Sequence, residues 1–394
     1  MNTSLLYLLL STIIFIAAPL ILVWLHSQAA LEIVTEPVPA PPGGPLVSVL
    51  IPARNEARNI RRCVQAVLAQ DYPNFEVLVL DDRSSDATPA ILAELARDEP
   101  RLVVLAGVEL PTGWAGKPHA LHQAAGAARG EWLCFLDADT FLEPNALSAA
   151  LAMAHATGAD LYTMMTRQIM GSFWEKTVLP LVLTALSVGF SPRKVNDPLT
   201  RDAVANGQFI LIRRGVYEAI GGHAAIRNQI VEDKAISEQV KWNGFRLVLA
   251  DGYGLASTRM YTSLPELWEG WTKNIYLGLK DRPGLLLLGA FGALLAVMAA
   301  LFLPLWLLLG LVWFLFGGGV PAILVFVQAA LIWGIVIYMR ARVAREMGIS
   351  RWYALTTPLG AGVFAAMMFA SAWKVLSGQG VSWKGRTYDP KTVR

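Results

Sequence analysis

Three kinds of hydrophobic spacing alternate along this chain. Short apolar runs, VSVLIP at 47–52, FEVLVLDD at 75–82, RLVVLAG at 101–107 and EWLCFLDAD at 131–139, predict buried parallel strands. Between them, Glu56–Gln70 places Ile60, Val64, Val67 and Leu68 at helical spacing, and Asp86–Arg97 and Lys117–Ala128 have helix length. Strand alternating with helix predicts an α/β, doubly wound sheet. After the fourth strand the pattern loosens, although Gln208–Ile212 and Phe245–Ala250 read as strands and Glu232–Trp242 as a helix. Pro265–Leu279 sets Leu267, Trp268, Trp271, Ile275 and Tyr276 against Glu266, Glu269 and Lys273, the mark of an amphipathic helix at a membrane surface.

The third kind of spacing is the long uncharged run. Ser4–Leu25 carries no charge and no basic flank before it, which predicts an uncleaved transmembrane anchor. No charged side chain occurs from Pro283 to Met339, enough for two or three crossings broken at Pro304 and at Gly317-Gly318-Gly319. Trp352–Trp373 is also uncharged, but Thr356-Thr357-Pro358 and Gly360 interrupt it, so it reads as a crossing or a re-entrant segment. The expected layout is an anchor over 1–28, a Pro/Gly-rich linker over 29–45 in which Pro37–Pro45 is too rich in Pro and Gly for helix or sheet, and a soluble domain over 46–263. An interface helix over 264–282, about three membrane helices over 283–376 and a basic tail over 377–394 follow.

Composition agrees, with 55% hydrophobic and 16% charged residues, too apolar for an ordinary soluble protein. Lys273, Lys280 and Arg282 beside the second apolar block put the soluble domain in the cytoplasm of a multi-pass inner-membrane protein. The net charge of +3 is dispersed, so nucleic acid is not an expected partner. The two cysteines, Cys63 and Cys134, fall at core positions and give no metal-ligand spacing.

In doubly wound sheets ligands gather at the carboxyl ends of the strands, here Pro52–Glu56, Asp81-Asp82 and Asp137–Asp139. The first strand-to-helix turn, PARNEA, lacks the glycines of a dinucleotide site, and no GxxxxGK sequence occurs. Paired carboxylates instead suggest Mg2+ or Mn2+ between protein and phosphate, with Asp137 and Asp139 as ligands. Taken alone, Asp-x-Asp is equally a solvated turn.

VSVLIPARNE at 47–56, VLVLDDRSSDAT at 77–88, FLDADT at 135–140 and VEDKAISEQVKWNGFR at 231–246 change that balance. In these four motifs, and over about residues 46–280, the chain resembles family 2 inverting glycosyltransferases with a GT-A fold. The resemblance implies that Pro52, Glu56 and Asp82 line the nucleotide pocket, that Asp81 supports its turn, and that Asp139 carries the metal with Asp137 beside it. It also implies that Asp233, in the Glu232-Asp233 pair, is the base that deprotonates the acceptor; the other reading of that pair is helix capping.

LPTGWAGKPHAL at 110–121, NGQFILIRRGVYEAIGGH at 206–223, WEGWTKNIYLG at 268–278 and VSWKGRTY at 381–388 resemble the carotenoid- and hopanoid-associated branch. Lys117 then pairs with donor phosphates or is a solvated lysine, and His119 or His122 bonds donor or acceptor hydroxyls. His223 reaches the metal or pyrophosphate, or merely packs in a glycine turn. Polymerising members carry Gln-x-x-Arg-Trp where this chain has Glu269-Gly270-Trp271-Thr272-Lys273; Lys273 and Asn274 stand in for its contacts to pyrophosphate, and Trp268 and Trp271 stack on substrate or anchor at the interface. The expected activity is transfer of a hexose, glucose from UDP-glucose, to a hydroxyl or carboxyl of a membrane lipid such as a carotenoid. The alternatives are a processive polysaccharide synthase and a non-catalytic nucleotide-sugar-binding scaffold.

Overall fold

The computed structural model describes residue 13 and residues 31–38, 43–279, 283–379, 381–383 and 386–388. The expected anchor over 1–28 and most of the basic tail, together with Lys280 and Arg282, lie outside the described residues. The described chain separates into two units, one of residues 31–169, 192–260 and the C-terminal strands, the other of residues 170–191 and 261–373.

In the first unit the strands are β1 (Val47–Ala53), β2 (Phe75–Asp81), β3 (Leu102–Ala106), β4 (Trp132–Leu136), β5 (Thr140–Leu142), β6 (Leu161–Met165), β7 (Arg167–Gln168), β8 (Phe209–Arg213), β9 (Leu247–Asp251) and β10 (Ala256–Thr258). Its principal helices are α1 (Ile60–Leu68), α2 (Thr88–Ala96), α3 (Gly116–Ala127) and α4 (Ala146–Thr157), with Glu232–Trp242 between β8 and β9. The sheet runs β3-β2-β1-β4-β8-β6-β9. β1, β2, β3 and β4 are mutually parallel, with Val47 opposite both Phe75 and Trp132, whereas β8 runs antiparallel to β4 and β6.

The pleat sorts side chains onto two faces, and both are covered. Val47, Val49 and Ile51 of β1 join Val77 and Val79 of β2 in one core with α1 and α4. Leu50, Leu78 and Leu80 face the other core with Ala120, Leu121 and Ala124 of α3. Helix α1 buries Ile60, Cys63, Val64 and Val67, the i, i+3, i+4, i+7 stripe of an amphipathic helix. It begins four residues later than the expected Glu56, because residues 54–59 are bonded to the loop after β2. Gly158, at φ 65°, ends α4 in the left-handed conformation that favours glycine.

Two features depart from the expected layout. The supposed linker contributes to the sheet edge, where Thr35 N donates to Asp251 O at 2.8 Å and Asp251 N to Ile33 O at 2.7 Å. Backbone polarity explains this, since an extended segment beside the edge strand β9 satisfies groups that would otherwise lack partners. Residues 170–191, expected within the soluble domain, group with the C-terminal helices because α5 (Phe173–Gly189) is almost wholly apolar beyond Lys176.

With Glu232–Trp242 as α6, the second unit adds α7 (Leu264–Leu279), α8 (Pro283–Val297), α9 (Leu303–Leu315), α10 (Gly319–Glu346) and α11 (Thr357–Leu376). α8 and α9 form one run through a π-helical stretch at Met298–Phe302, so Pro304 loosens the helix and Gly317–Gly319 ends it. Among the described residues Gly319–Glu346 and Arg351–Leu376 are each long and apolar enough to cross a membrane. Their outward side chains are apolar, Leu331 and Phe369 among them, as membrane association requires. Pro180 inside α5 cannot donate to the carbonyl four residues back, and Arg340 Nη2 supplies that bond to Lys176 O at 2.7 Å.

Candidate active site

The loops after β1 and β2 form one interlocked wall. Asn55 N donates to Ser84 Oγ at 3.0 Å, Ser85 N to Asn55 Oδ1 at 2.8 Å, Glu56 N to Thr88 Oγ1 at 2.8 Å and Ala57 N to Asp86 Oδ2 at 3.0 Å. Arg54 Nη1 reaches Asp82 O at 2.7 Å. Asn55 at φ 53° and Arg83 at φ 58° are non-glycine residues in the left-handed region, held there by these bonds. The wall fixes the expected nucleotide contacts: Asp81 Oδ1 accepts from Ser84 N at 3.1 Å, Asp82 is buried, and Glu56 Oε2 accepts from Asn59 Nδ2 at 3.1 Å.

Next to this wall, a pocket is lined by Pro52, Lys117, Asp137, Gly207, His223, Glu232 and Asp233 with an apolar floor of Leu121, Phe135 and Ile210. Lys117 stands at the start of α3, and its ammonium bridges Asp137 Oδ1 at 2.6 Å and Glu232 Oε1 at 2.5 Å. It thereby ties the end of β4 to the start of α6. Burial disfavours the Lys117 cation, but Asp137, Glu232 and Asp233 outweigh it and hold its pKa well above the usual lysine value. Burial also raises the Asp137 pKa, against Lys117 and with help from Glu232 and Glu56.

Asp233 is aimed by the backbone. Lys234 N donates to Oδ1 at 2.7 Å and Gly207 N to Oδ2 at 3.2 Å. Gly207 is required at that approach, since a Cβ there would lie 3.0 Å from Asp233 Oδ2 and 3.3 Å from Lys117 Nζ. Burial, then the neighbouring Glu232, pushes the Asp233 carboxyl up to about 6. A carboxylate poised near neutrality is suited to accepting a proton.

His223 is 1% exposed, its Nδ1 lies 2.9 Å from Tyr217 Oη, and its ring meets Phe135 edge-on at 4.8 Å. Burial pulls its pKa down to about 3, so the ring is neutral. His119 and His122 stack about Trp114, at 5.3 and 5.2 Å, and His119 Nδ1 bonds Gln123 at 3.1 Å. Asp139 sits on the turn after β4, where its carbonyl accepts from Arg259 N. Burial, and then the charges of Asp139, Glu56 and Asp137, raise the Cys63 thiol pKa. Lys273 and Asn274 belong to α7 in the other unit and are half-buried there.

These donors are all oxygens, the hard set that Mg2+ and Mn2+ prefer over softer metals. Among the described residues no three acidic, histidine or cysteine side chains converge to cage an ion by themselves. A Mg2+-like ion needs no such cage, because one or two carboxylates plus substrate phosphates complete its shell. Asp137 and Asp139 fit that role.

Residues 48–221 match the family described as glycosyl transferase family 2. Over those residues the chain is similar to glycosyl transferase family 2. The match covers the nucleotide wall, Lys117 and the Asp137–Asp139 turn, and stops short of Glu232 and Asp233. The 4,4'-diaponeurosporenoate glycosyltransferase of Staphylococcus aureus strain MRSA252 is 28% identical over 235 residues, 59% of this chain and 61% of that relative, and the strain USA300 protein matches alike. The aligned region thus spans about three fifths of the length of these relatives. Among solved structures, the mannosyltransferase PcManGT from Pyrobaculum calidifontis, in complex with GDP-Man and Mn2+, superposes with a TM-score of 0.55 at 18% identity. That superposition covers 94% of this chain and 97% of PcManGT and shows a GT-A fold in a chain that also has long apolar helices.

What the sequence alone had not indicated is the bridge made by Lys117, the part of Gly207 and the interlock through Asn55 and Arg83. The one available signal for Lys117 was its position at the N-terminus of a helix facing the strand ends.

Proposed function

We propose that this protein transfers a hexose from a nucleoside diphosphate sugar to a membrane lipid acceptor, with inversion. The carrying observation is Asp233, a half-buried carboxylate with a raised pKa, aimed by two backbone N–H groups into the pocket that Asp137 and Lys117 also line. Pro52, Glu56, Asp81 and Asp82 hold the nucleotide, and Lys117 turns its ammonium toward the diphosphate. Asp137 and Asp139 would hold a divalent cation of the kind present in the PcManGT complex, which would offset negative charge on the diphosphate. The acceptor oxygen attacks the anomeric carbon, the bond to the diphosphate breaks, and the acceptor proton passes to Asp233. His223 packs the pocket wall and keeps Tyr217 in place.

UDP-glucose as donor and a carotenoid or other polyisoprenoid as acceptor follow the branch resemblance and the named relatives. The long apolar helices suit an acceptor dissolved in the bilayer, with the family 2 domain on the cytoplasmic side. A base is needed by a hydroxyl acceptor but not by a carboxylate, which is already ionised, so the geometry favours a hydroxyl. The name of the S. aureus relative denotes an acid acceptor and favours a carboxyl.

The test is transfer from radiolabelled UDP-glucose into total membrane lipids by the purified full-length protein, with Mn2+ or EDTA. Metal-dependent label in a polyisoprenoid fraction, lost in Asp137→Asn and Asp139→Asn, supports the reading. Label in polymer, or none with any nucleotide sugar, refutes it. Asp233→Asn separates the acceptors, because loss of transfer indicates a hydroxyl and retained transfer a carboxylate.

A further inference from the structure

The helical segment 170–191 ends at Ser191, and the chain returns to the family 2 unit through residues 192–206. This stretch exposes an aliphatic side chain at its tip, Leu199, which is 93% exposed. It also turns out three cations, Arg193, Lys194 and Arg201, and lies beside Trp242, which is 54% exposed. Its two acids, Asp197 and Asp202, are half-buried, and Asp197 Oδ1 accepts from Leu199 N at 2.9 Å.

An ordinary surface loop would be free to fold its leucine down. This one is locked from beneath by a buried cation: Lys241 Nζ donates to Lys194 O at 2.9 Å, Val195 O at 2.6 Å, Asp202 O at 2.7 Å and Thr200 Oγ1 at 3.2 Å. Trp242 Nε1 holds Arg201 O at 3.2 Å, and Asn196 pairs with both backbone groups of Leu249 in β9. Burying an ammonium is costly unless it is fully bonded, so a bonded one in this place is a brace. The braced loop presents an aliphatic tip and an indole edge within a ring of outward cations.

We propose that residues 193–202, with Trp242, form a preorganised contact for an anionic lipid surface. Aliphatic and indole groups insert at the headgroup boundary, while Arg193, Lys194 and Arg201 meet lipid phosphates. Charge complementarity selects this occupant: the exposed charged side chains of the stretch, Arg193, Lys194 and Arg201, are all cations, and its two acids, Asp197 and Asp202, are half-buried, so the outward charge is positive. The inference concerns where the family 2 unit touches the bilayer and is independent of which sugar it transfers.

Cys63 and Cys134 are fully buried, so a cysteine added at the surface can be labelled selectively. The full-length protein carrying Leu199→Cys, labelled with a nitrobenzoxadiazole probe, is reconstituted into phosphatidylcholine vesicles with or without phosphatidylglycerol and doxyl-labelled lipid. Asp98→Cys, on an exposed position after α2, is the reference. The expected result is a blue-shifted probe at 199, quenched several-fold more than at 98 and more strongly with phosphatidylglycerol. Arg193→Glu, Lys194→Glu and Arg201→Glu together remove the difference while transfer from nucleotide sugar to detergent-solubilised acceptor persists. Equal quenching at 199 and 98, or quenching at 199 that ignores both phosphatidylglycerol and the charge reversals, overturns the proposal.

Discussion

Asp233→Asn should make the protein more stable at neutral pH and less stable relative to wild type as the solution is acidified. In the folded chain this carboxyl titrates near 6, whereas its unperturbed value is 3.8. The sign is therefore that of a carboxylate whose folded pKa is raised. Below 3.8 the group costs nothing; the cost of holding a buried anion grows between 3.8 and about 6 and is complete above it. The interval corresponds to about 3 kcal/mol at neutral pH. Asparagine keeps one acceptor oxygen for Gly207 N or Lys234 N and loses the other bond, which returns about 1 kcal/mol. The net gain is about 2 kcal/mol, or a rise of about 4–8 °C in Tm for a unit of this size. The assay is thermal unfolding of purified full-length wild type and variant in detergent at pH 7.5 and pH 4.5. A gain at pH 7.5 that shrinks at pH 4.5 is expected, with transfer to a hydroxyl acceptor lost. No gain at pH 7.5, or the same gain at both pH values, would refute the assignment of a destabilised, base-like Asp233.

Three further outcomes follow from contacts in the two units. Lys117→Met strands Asp137 and Glu232 without their shared cation and should lower stability by roughly 3 kcal/mol, the low end for a broken buried pair, since Lys117 keeps some exposure; thermal unfolding at pH 7.5 measures it. Gly207→Ala places a Cβ 3.0 Å from Asp233 Oδ2, which should cut kcat about tenfold or more while Tm moves little, checked by steady-state kinetics beside thermal unfolding. Gly360→Ala in α11 would put its Cβ 2.5 Å from Thr177 O of α5, an overpacking worth about 1–3 kcal/mol that lowers the detergent Tm of the helical unit.

The parallel half of the sheet was legible because β1, β2 and β4 are buried on both faces and so appear as largely apolar runs, broken only by Ser48 in β1 and by Glu76 and the terminal Asp81 in β2. Glu232–Trp242 was legible for the opposite reason, a polar helix with one apolar side. Strands β5, β7 and β10, of two or three residues, are too short to display a period of two. Helix α5 escaped notice because Pro180 argues locally against a helix, and the repair comes from Arg340, far away in sequence. The acids of the site were visible as residue types at strand ends, but not the partner of each. Lys117 could be read as solvated or as a phosphate contact, and only the fold brings Asp137 and Glu232 to it. His223 could be read as a ligand or as packing, and the contacts with Tyr217 and Phe135 depend on the turn at Gly221-Gly222, both at positive φ.

Among the described residues, the non-glycine residues at positive φ and the carboxylates with raised pKa values both lie at the carboxyl ends of the strands. Asn55 and Arg83 occupy a backbone region that costs about 1–2 kcal/mol for a residue with a Cβ. Asp137 and Asp233 are carboxylates whose pKa values burial raises. A network selected for stability alone would place its acids where burial and neighbours lower their pKa, as it does at Glu76, which accepts from Ser48 and Arg129 and stays low despite burial. Glu76 holds the amino-terminal side of the sheet together; Asp137 and Asp233 sit at the carboxyl side and weaken it. Glu76 is the more deeply buried of the three, yet its pKa is the one that is lowered, so burial by itself does not explain the difference. What separates them is orientation: Glu76 is saturated by donors of the protein, whereas Asp233 is held by two backbone N–H groups with its carboxylate lining an open pocket. Strain of this kind persists when a bound substrate supplies the missing partner, which is the physical ground for reading this edge as the active site.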